Sequence, residues 1–191
     1  MWREGAVMGR TRVRVVGHNG GMTKMTAERV KELLGLKPLA IEGGYFSETY
    51  RAEQVIAREA LGDEYGGARR VCTAIYYLLE PGEFSEMHRV KSDEIFHFYL
   101  GDPVEMLQLW PDGSTRRVVI GTDLDAGMQP QVIVPRGVWQ GCRLIAGGSV
   151  ALMGCTVSPG FEYADYESGK RDELVRGWGS VKDMIEALTR T

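Results

Sequence analysis

The stretch Pro81–Asp102, PGEFSEMHRVKSDEIFHFYLGD, determines how the rest of the chain is interpreted. It contains His88, and it contains Glu94 at the start of the aromatic run EIFHFYL. A histidine and a carboxylate beside strand-forming residues are typical of half a metal site, because both side chains bind transition metals. Val90 faces the same way as His88 but supplies no ligand. The stretch therefore raises three hypotheses: a metal centre with unusual ligands, a pocket without a metal, or only a packed barrel.

Short runs of β-branched and aromatic residues follow one another from residue 71 to residue 157, with turn residues between them. They read VCTAIYYLL, EIFHFYL, VEMLQLW, TRRVVIG, QVIVP, GVWQGCRL and SVALMGCTV. Closely spaced short strands without an intervening helix predict an all-β sandwich or barrel. The turn PDGS at 111–114, between two of these runs, predicts a hairpin.

Helices are predicted only near the two ends of the chain. The run TAERVKELLGL (26–36) starts with a threonine that can cap a helix, and Gly35 can end it. The run VKDMIEALTR (181–190) is amphipathic, with four apolar residues on one face: Val181, Met184, Ile185 and Leu188. Residues 1–24 are predicted to be a flexible basic extension, and residues 25–191 a single domain.

The charge distribution and the cysteines limit the partners and the location of the protein. The net charge is −3, although residues 1–25 carry five basic residues against one acidic residue. The acidic remainder argues against a nucleic acid partner, since phosphate binding needs a basic face. No apolar run is long enough to span a membrane. The three cysteines show no CxxC spacing, which favours reduced thiols and a cytoplasmic location.

Strand periodicity predicts which side chains of the central stretch share a wall. Alternate residues of a strand point to the same face, so His88 and Val90 form one set. Glu94, Phe96 and Phe98 form another, and His97 points to the opposite face. If His88 and Glu94 face the barrel interior, the wall consists of one imidazole, one carboxylate and several apolar surfaces.

The spacing of the central stretch resembles the signature motifs of the cupin superfamily of small jelly-roll barrels. Gly82-x5-His88-x5-Glu94-x6-Gly101 matches the first motif, and Pro135-x-Gly137-x2-Gln140 is similar to the second. In that superfamily, three histidines and a glutamate bind a metal. Here His88 and Glu94 match two of those ligands, whereas Val90 and Gln140 stand in place of two histidines.

Four blocks in order resemble the cupin-5 group of small uncharacterised single-domain cupins: IEGGYFSETYRA, HRVKSDEIFHFYLGDP, VPRGVWQG and SPGFEYADYE. The resemblance implies an all-β cupin double-stranded β-helix, a jelly-roll barrel, with short N- and C-terminal helices. It also implies a homodimer, in which the early strand Tyr45–Arg51 could add to a partner's sheet. The similar barrels of sugar-nucleotide epimerases suggest a histidine base with a tyrosine acid.

The leading hypothesis is a metal-independent isomerase or epimerase that acts on a small carbonyl or sugar-like compound. His88 is the candidate general base, and Glu94 would orient its imidazole and raise its basicity. The predicted ligand-binding residues are Glu48 and Arg51 at the pocket mouth, Ser92, Gln140, and Trp139 as a stacking surface. The acid is unassigned among Tyr45, Tyr76, Tyr77 and Tyr99.

Two other functions remain open. The first is a non-catalytic module that binds or senses a small polar metabolite in the same pocket. The second is a metal-dependent cupin enzyme that uses His88 and Glu94, although two donors and a neutral amide hold a transition metal loosely. The leading hypothesis expects a small-molecule ligand and neither a metal nor another cofactor.

Overall fold

Eleven strands form two antiparallel sheets in the computed structural model, which describes residues 25–190. The larger sheet has the order β1-β2-β5-β12-β7-β10. Its strands are β1 (Lys37–Pro38), β2 (Tyr45–Arg51), β5 (Thr73–Leu79), β12 (Ala151–Ser158), β7 (Asp93–Gly101) and β10 (Gln131–Val134). The smaller sheet has the order β13-β6-β11-β8-β9. Its strands are β13 (Glu167–Ser168), β6 (Phe84–Arg89), β11 (Trp139–Leu144), β8 (Val104–Leu109) and β9 (Thr115–Ile120).

The path of the chain between the sheets is that of a jelly roll. From β5 to β8, successive strands alternate between the larger and the smaller sheet, and β9 to β12 do the same after the β8–β9 hairpin. Every pair of neighbouring strands is antiparallel, and the hairpin encloses the predicted PDGS turn. Apolar residues from both sheets pack into one cluster. The predicted all-β jelly-roll fold is therefore confirmed.

Three short helices lie near the ends of the described chain. They are α1 (Ala27–Leu34), α2 (Arg171–Gly177) and α3 (Lys182–Ala187). Thr26 caps α1 by accepting a hydrogen bond from the backbone N–H of Arg29, and Gly35 ends it in the left-handed conformation. The apolar face predicted around α3 is buried against the outer side of the smaller sheet. The helix α2 was not predicted from the sequence. No described helix is long and apolar enough to cross a membrane.

The segment before β5 contains more structure than the predicted polar excursion. A ribbon of two short strands, β3 (Val55–Ile56) and β4 (Arg69–Arg70), encloses a 3-10 turn at Arg58–Ala60. The β1 strand covers only the first two residues of β2. The predicted homodimer through β2 remains a prediction, as does the single domain, and the predicted basic extension lies outside the described residues.

A strap formed by residues 158–168 closes one end of the barrel. Its 3-10 turn, Tyr163–Asp165, is fixed by a bidentate ion pair in which Arg69 Nε and Nη2 each lie 2.6 Å from an Asp165 carboxylate oxygen. Both side chains are buried. Since breaking a buried ion pair leaves an uncompensated charge, this pair holds the strap firmly to the β3–β4 ribbon.

The loop before β2 is fixed to the start of β6 at several points. The backbone N–H of Glu86 donates to the Glu42 carbonyl oxygen at 2.9 Å, and the Ser85 hydroxyl donates to the Glu42 carboxylate at 2.6 Å. The Tyr77 hydroxyl donates to the Gly43 carbonyl oxygen at 3.0 Å. Gly43 has a φ of 105°, which favours glycine. The loop thus holds the Glu42 carboxylate in a defined place beside β6.

Replacing Gly43 by alanine is expected to destabilise the protein more than the same change at Gly35. Both residues have positive φ, so alanine costs about 1 kcal/mol of backbone strain at either position. A Cβ at Gly43 would overlap the Phe84 carbonyl oxygen, whereas a Cβ at Gly35 would have no neighbour within 4 Å. Overpacking should add about 2 kcal/mol to the loss for Gly43→Ala. Urea denaturation of both variants measures the difference, and equal losses would contradict this account of the loop.

Candidate functional site

A cavity of about 100 Å³ lies between the larger sheet, β6 and the strap. Its buried end, called the floor below, presents Glu42, His88 and Glu94. Its exposed end, called the mouth, presents Glu48, Arg51 and Tyr163. Apolar side chains form the walls between the two ends: Leu39, Ile41, Phe46, Ile75, Val90, Val157 and Phe161. An apolar cavity with a few converging polar groups is the usual form of a small-molecule site.

The imidazole of His88 is held in one tautomer. Its Nδ1 lies 2.7 Å from the Glu86 carbonyl oxygen. A carbonyl oxygen can only accept, so Nδ1 carries the proton and the Nε2 of the neutral ring has a free lone pair. The Tyr166 ring stacks on the imidazole, with centroids 5.0 Å apart and planes at 18°. The ring is therefore fixed in orientation, with its basic nitrogen among the floor residues.

The amide of Gln140 connects His88 to Glu94. Its Nε2 lies 2.5 Å from Glu94 Oε2 and 3.3 Å from His88 Nε2, so the amide donates one hydrogen to each group. Gln140 reaches both residues because β11 pairs with β6 and places it opposite His88. The predicted role of Glu94 as the group that orients the imidazole is not what the structure shows. The backbone carbonyl of Glu86 does this instead, and Gln140 stands between the two side chains.

Burial raises the pKa of Glu94 from 4.5 to about 7, and the nearby Glu42 carboxylate adds to the rise. The charged form is disfavoured because its environment offers little solvation and a second negative charge. His88 and the hydrogen bond from Gln140 oppose the rise. Glu94 therefore exchanges its proton close to neutral pH, which is the range in which a carboxyl group can serve as a general acid.

Glu42 is the floor residue that the sequence reasoning missed. Its Oε1 accepts from the Ser85 hydroxyl at 2.6 Å, while its Oε2 lies 4.0 Å from His88 Nε2. The signal was a carboxylate directly before the two glycines of the IEGGYF block. Such glycines let a backbone make a sharp approach, so the preceding side chain is fixed rather than free at the surface.

The structure brings only some of the predicted ligand-binding residues to the cavity, and Gln140 contacts two floor residues without lining the cavity itself. Glu48 and Arg51 lie at the mouth, where Arg51 is ion-paired with both Glu48 and Glu162. Ser92 is buried outside the cavity lining, 3.0 Å from the Tyr65 hydroxyl. Its hydroxyl is thus engaged in fixing the loop between β6 and β7.

Trp139 also lies outside the cavity, which corrects its predicted position as a stacking surface on the pocket wall. Gln140 points into the barrel, so the preceding residue of β11 points to the other face. There Trp139 packs on the cluster that includes α3, and the Arg89 guanidinium lies 4.4 Å from the centre of its ring. As expected from the same periodicity, His97 turns away from Glu94 and contacts Gln131 and Thr156.

None of the four tyrosines considered as the acid lines the cavity, among the residues that the structure describes. Tyr45 faces Lys31, and Tyr76 packs edge-on against Tyr99. Tyr77 is buried with its hydroxyl on the Gly43 carbonyl. Two other tyrosines, Tyr163 and Tyr166 of the strap, line the cavity. Since burial raises the pKa of Tyr166 and its hydroxyl faces the Ile41 carbonyl and Glu86, a carboxyl group is the better acid at this floor.

The residues at the floor do not fit the four-ligand metal site of the superfamily. Within the described part of the chain, no group of three or more His, Cys, Asp or Glu side chains is placed to hold a metal ion. Val90 supplies an apolar wall in place of one ligand. In place of another, Gln140 directs the hydrogens of its amide toward His88 and Glu94. Amide hydrogens repel a cation, so no catalytic step is assigned to a metal at this site.

Comparisons with known proteins agree with the fold, and the matched regions include the residues of the cavity. A family model described as "Cupin superfamily (DUF985)" matches residues 28–169. An uncharacterized protein of Saccharomyces cerevisiae is 30% identical over 142 residues, which cover 70% of this chain and 71% of the yeast protein. All floor and mouth residues fall within the region matched by the family model.

Two solved structures resemble the whole barrel. A hypothetical protein from Leishmania major has a TM-score of 0.79 and 30% sequence identity, covering 87% of this chain and 100% of its own. A protein from Shewanella oneidensis has a TM-score of 0.76 and 31% identity, covering 87% of this chain and 98% of its own. These similarities show the fold, and their descriptions assign no reaction.

The variant Glu94→Gln should flatten the dependence of stability on pH. With a pKa of about 7 in the folded state against 4.5 as the ordinary value, Glu94 binds more protons in the folded state between these pH values. The contribution of neutral Glu94 to the free energy of unfolding is fully present below about pH 4.5, and it is lost as the pH rises through 7. The loss amounts to about 3 kcal/mol.

Urea denaturation from pH 4.5 to pH 8 measures this effect as the difference between the wild-type and variant profiles. Glu105→Gln is the matched control, because it makes the same charge change at a partly exposed ion pair with Arg143. Parallel profiles for the wild type and Glu94→Gln would show that Glu94 titrates in its ordinary range.

Proposed function

Because this chain belongs to the cupin superfamily, in the group described as DUF985, we propose that its barrel pocket catalyses a proton transfer within a small molecule. The proposed activity is that of a metal-independent isomerase or epimerase, and the substrate is a small carbonyl or sugar-like compound. His88 is the general base, and Glu94 is the general acid.

One observation carries this proposal: the proton of His88 is fixed on Nδ1, so the lone pair of Nε2 lies at the floor of an apolar cavity beside a carboxyl group with a pKa of about 7. A base whose lone pair faces the cavity and an acid that exchanges its proton near neutral pH, held in one buried cluster, are what an isomerisation requires. The apolar walls strengthen the electrostatic effects of these groups.

The proposed reaction begins when Nε2 of His88 takes the proton from the carbon next to the carbonyl group. The electron pair of that C–H bond forms a C=C bond, and the carbonyl oxygen takes a proton from neutral Glu94. The resulting enol or enediol then receives the proton of His88 on the neighbouring carbon, which isomerises the compound. For an epimerisation, the intermediate must first turn over in the cavity, so that His88 returns the proton to the opposite face of the same carbon. A hydroxyl of the intermediate returns its proton to Glu94, so both groups end in their initial states.

Glu42 supports the charged intermediate of the base. After the first step His88 is an imidazolium, and Glu42 Oε2 lies 4.0 Å from the nitrogen that carries the new proton. An opposite charge at this distance favours the protonated form. The hydrogen bond from Gln140 to the same nitrogen measures 3.3 Å, at the long end of the range. The substrate proton therefore competes with only a weak partner for the lone pair.

The size of the cavity limits the substrate. A single water molecule needs about 10–15 Å³ of such space, and the cavity measures about 100 Å³. It accommodates roughly seven to ten non-hydrogen atoms by this comparison. Hydroxyketones with three to five carbons fall at or near this size, and they carry the acidic proton that the reaction needs.

Deuterium exchange tests the proposal. Dihydroxyacetone, erythrulose and xylulose would each be incubated with the protein in D₂O. Proton NMR would follow the signal of the hydrogens bound to the carbon next to the carbonyl group. The wild type is expected to accelerate the loss of this signal for at least one compound. His88→Asn should reduce the acceleration about a hundredfold or more, since a general base contributes that much.

His97→Asn is the matched control, because it makes the same substitution at a histidine of the larger sheet that faces away from the cavity. It should retain the wild-type rate. Thermal melting of both variants establishes that they fold. The proposal fails if none of the three compounds exchanges faster than in buffer, or if His88→Asn keeps the wild-type rate.

The second candidate function is a binding module without catalysis. The observation that favours it is the Gln140 amide, which donates to both His88 and Glu94 and so engages the two groups that catalysis needs. A binder would show thermal stabilisation by one of the same compounds without deuterium exchange. At a concentration a hundred times the Kd, a ligand adds about 2.7 kcal/mol of stability.

A further inference from the structure

We infer that the pocket selects uncharged or cationic compounds rich in hydroxyl or amino hydrogens, that it rejects anions, and that Glu42 is the residue that makes this selection. The inference rests on the proposed function for the place of the ligand. It goes further by stating the charge of the ligand and by giving Glu42 a role in specificity. Its test measures binding and needs no turnover.

The charges around the cavity are predominantly negative. Among the described residues that line it, three are glutamates, and Arg51 is the one side chain with a permanent positive charge. Arg51 is already paired with Glu48 and Glu162 at the mouth, where its side chain is 36% exposed. No unpaired cation of the described lining is thus available to receive a carboxylate or phosphate of a ligand.

Two polar atoms of the floor, Glu42 Oε2 and His88 Nε2, can accept hydrogens from a ligand, and no hydrogen bond from the described residues satisfies the first of them. Glu42 Oε1 is satisfied by Ser85, but Glu42 Oε2 has His88 Nε2 as its near polar neighbour, at 4.0 Å. That nitrogen has no hydrogen to give, because the proton of the ring is on Nδ1. A ligand hydroxyl or ammonium group can supply hydrogens to both atoms, whereas a carboxylate can supply none.

Gln140 contacts His88 and Glu94 without lining the cavity, and it carries a further acceptor next to the floor. Gln140 is 1% exposed, and its Oε1 has no hydrogen-bond partner among the described residues. Its Nε2 is bonded to His88 and Glu94, so the amide cannot rotate without losing both bonds. A buried polar atom without a partner is costly, so the amide adds an unmet acceptor, and no free donor, next to the floor.

An anionic ligand meets the opposite conditions. It would place a second negative charge against Glu42 at a buried floor, where the charges are poorly solvated. It would also face Nε2 of His88 with no hydrogen between the two atoms. Each effect weakens binding, and together they should reduce the affinity for an anion by at least about tenfold relative to a neutral compound of the same skeleton.

Three compounds with one carbon skeleton test this selection: glycerol, 3-amino-1,2-propanediol and glycerate. Their Kd values for the wild-type protein at pH 7.5 would be measured by ligand-observed NMR titration up to about 50 mM, a range suited to compounds of this size. The amine is expected to bind as tightly as glycerol or more tightly. Glycerate is expected to bind at least about tenfold more weakly than glycerol.

The variant Glu42→Gln tests the assigned residue. It keeps the size of the side chain but removes its charge, so the ratio of the glycerate Kd to the glycerol Kd should fall about tenfold, consistent with the strength of hydrogen bonds to charged groups. Glu105→Gln makes the same charge change away from the cavity and should leave the ratio unchanged. The wild-type series decides the charge selection even if Glu42→Gln does not fold.

The inference is overturned if glycerate binds as tightly as glycerol, or if neither glycerol nor the amine shows saturable binding. An unchanged ratio in folded Glu42→Gln overturns the role of Glu42. These outcomes are separate from the failure of the proposed function. Absence of deuterium exchange together with the expected order of Kd values would remove the isomerase and leave the charge selection intact.

Discussion

The amide of Gln140 is the contact on which the polar interior of the barrel depends. It donates to a carboxyl oxygen of Glu94 and to the basic nitrogen of His88, so two buried groups share one partner without touching each other. Each bond offsets part of the cost of removing a polar group from water. A side chain with a single donor at this position would leave Glu94 or His88 without that partner, and the floor would lose its fixed geometry.

Much of the fold and part of the site could be predicted because both follow from local rules. Strand periodicity groups His88 with Val90 and turns His97 away from Glu94. Once the interior face is chosen, it also brings Glu94 to the cavity that the structure shows. The same rule, applied to β11, would have turned Trp139 outward once Gln140 was assigned to the interior. Trp139 was predicted to stack on a ligand because it is aromatic, although the side of the sheet on which its side chain lies had not been assigned.

Other parts of the site depend on contacts between distant segments, which periodicity does not describe. Glu42 reaches the floor because Ser85, 43 residues later in the chain, holds its carboxylate. Tyr166 covers His88 because Arg69 and Asp165 anchor the strap, and they are 96 residues apart. Glycines and ion-pair partners were visible in the sequence, but which partner each residue meets is decided by the packing of the sheets.

The cost of the floor residues argues that they are kept for function rather than for stability. Burial of Glu94 against Glu42 raises its pKa to about 7, so at and above neutral pH the folded protein must hold a charge that its surroundings disfavour. An apolar residue at position 94 would avoid this loss and fill the barrel as Val90 does. Strongly shifted groups in a cavity are more common at functional sites than elsewhere. The direction of the shift also has a chemical use, since it keeps a proton available on Glu94 near neutral pH, close to the basic nitrogen of His88.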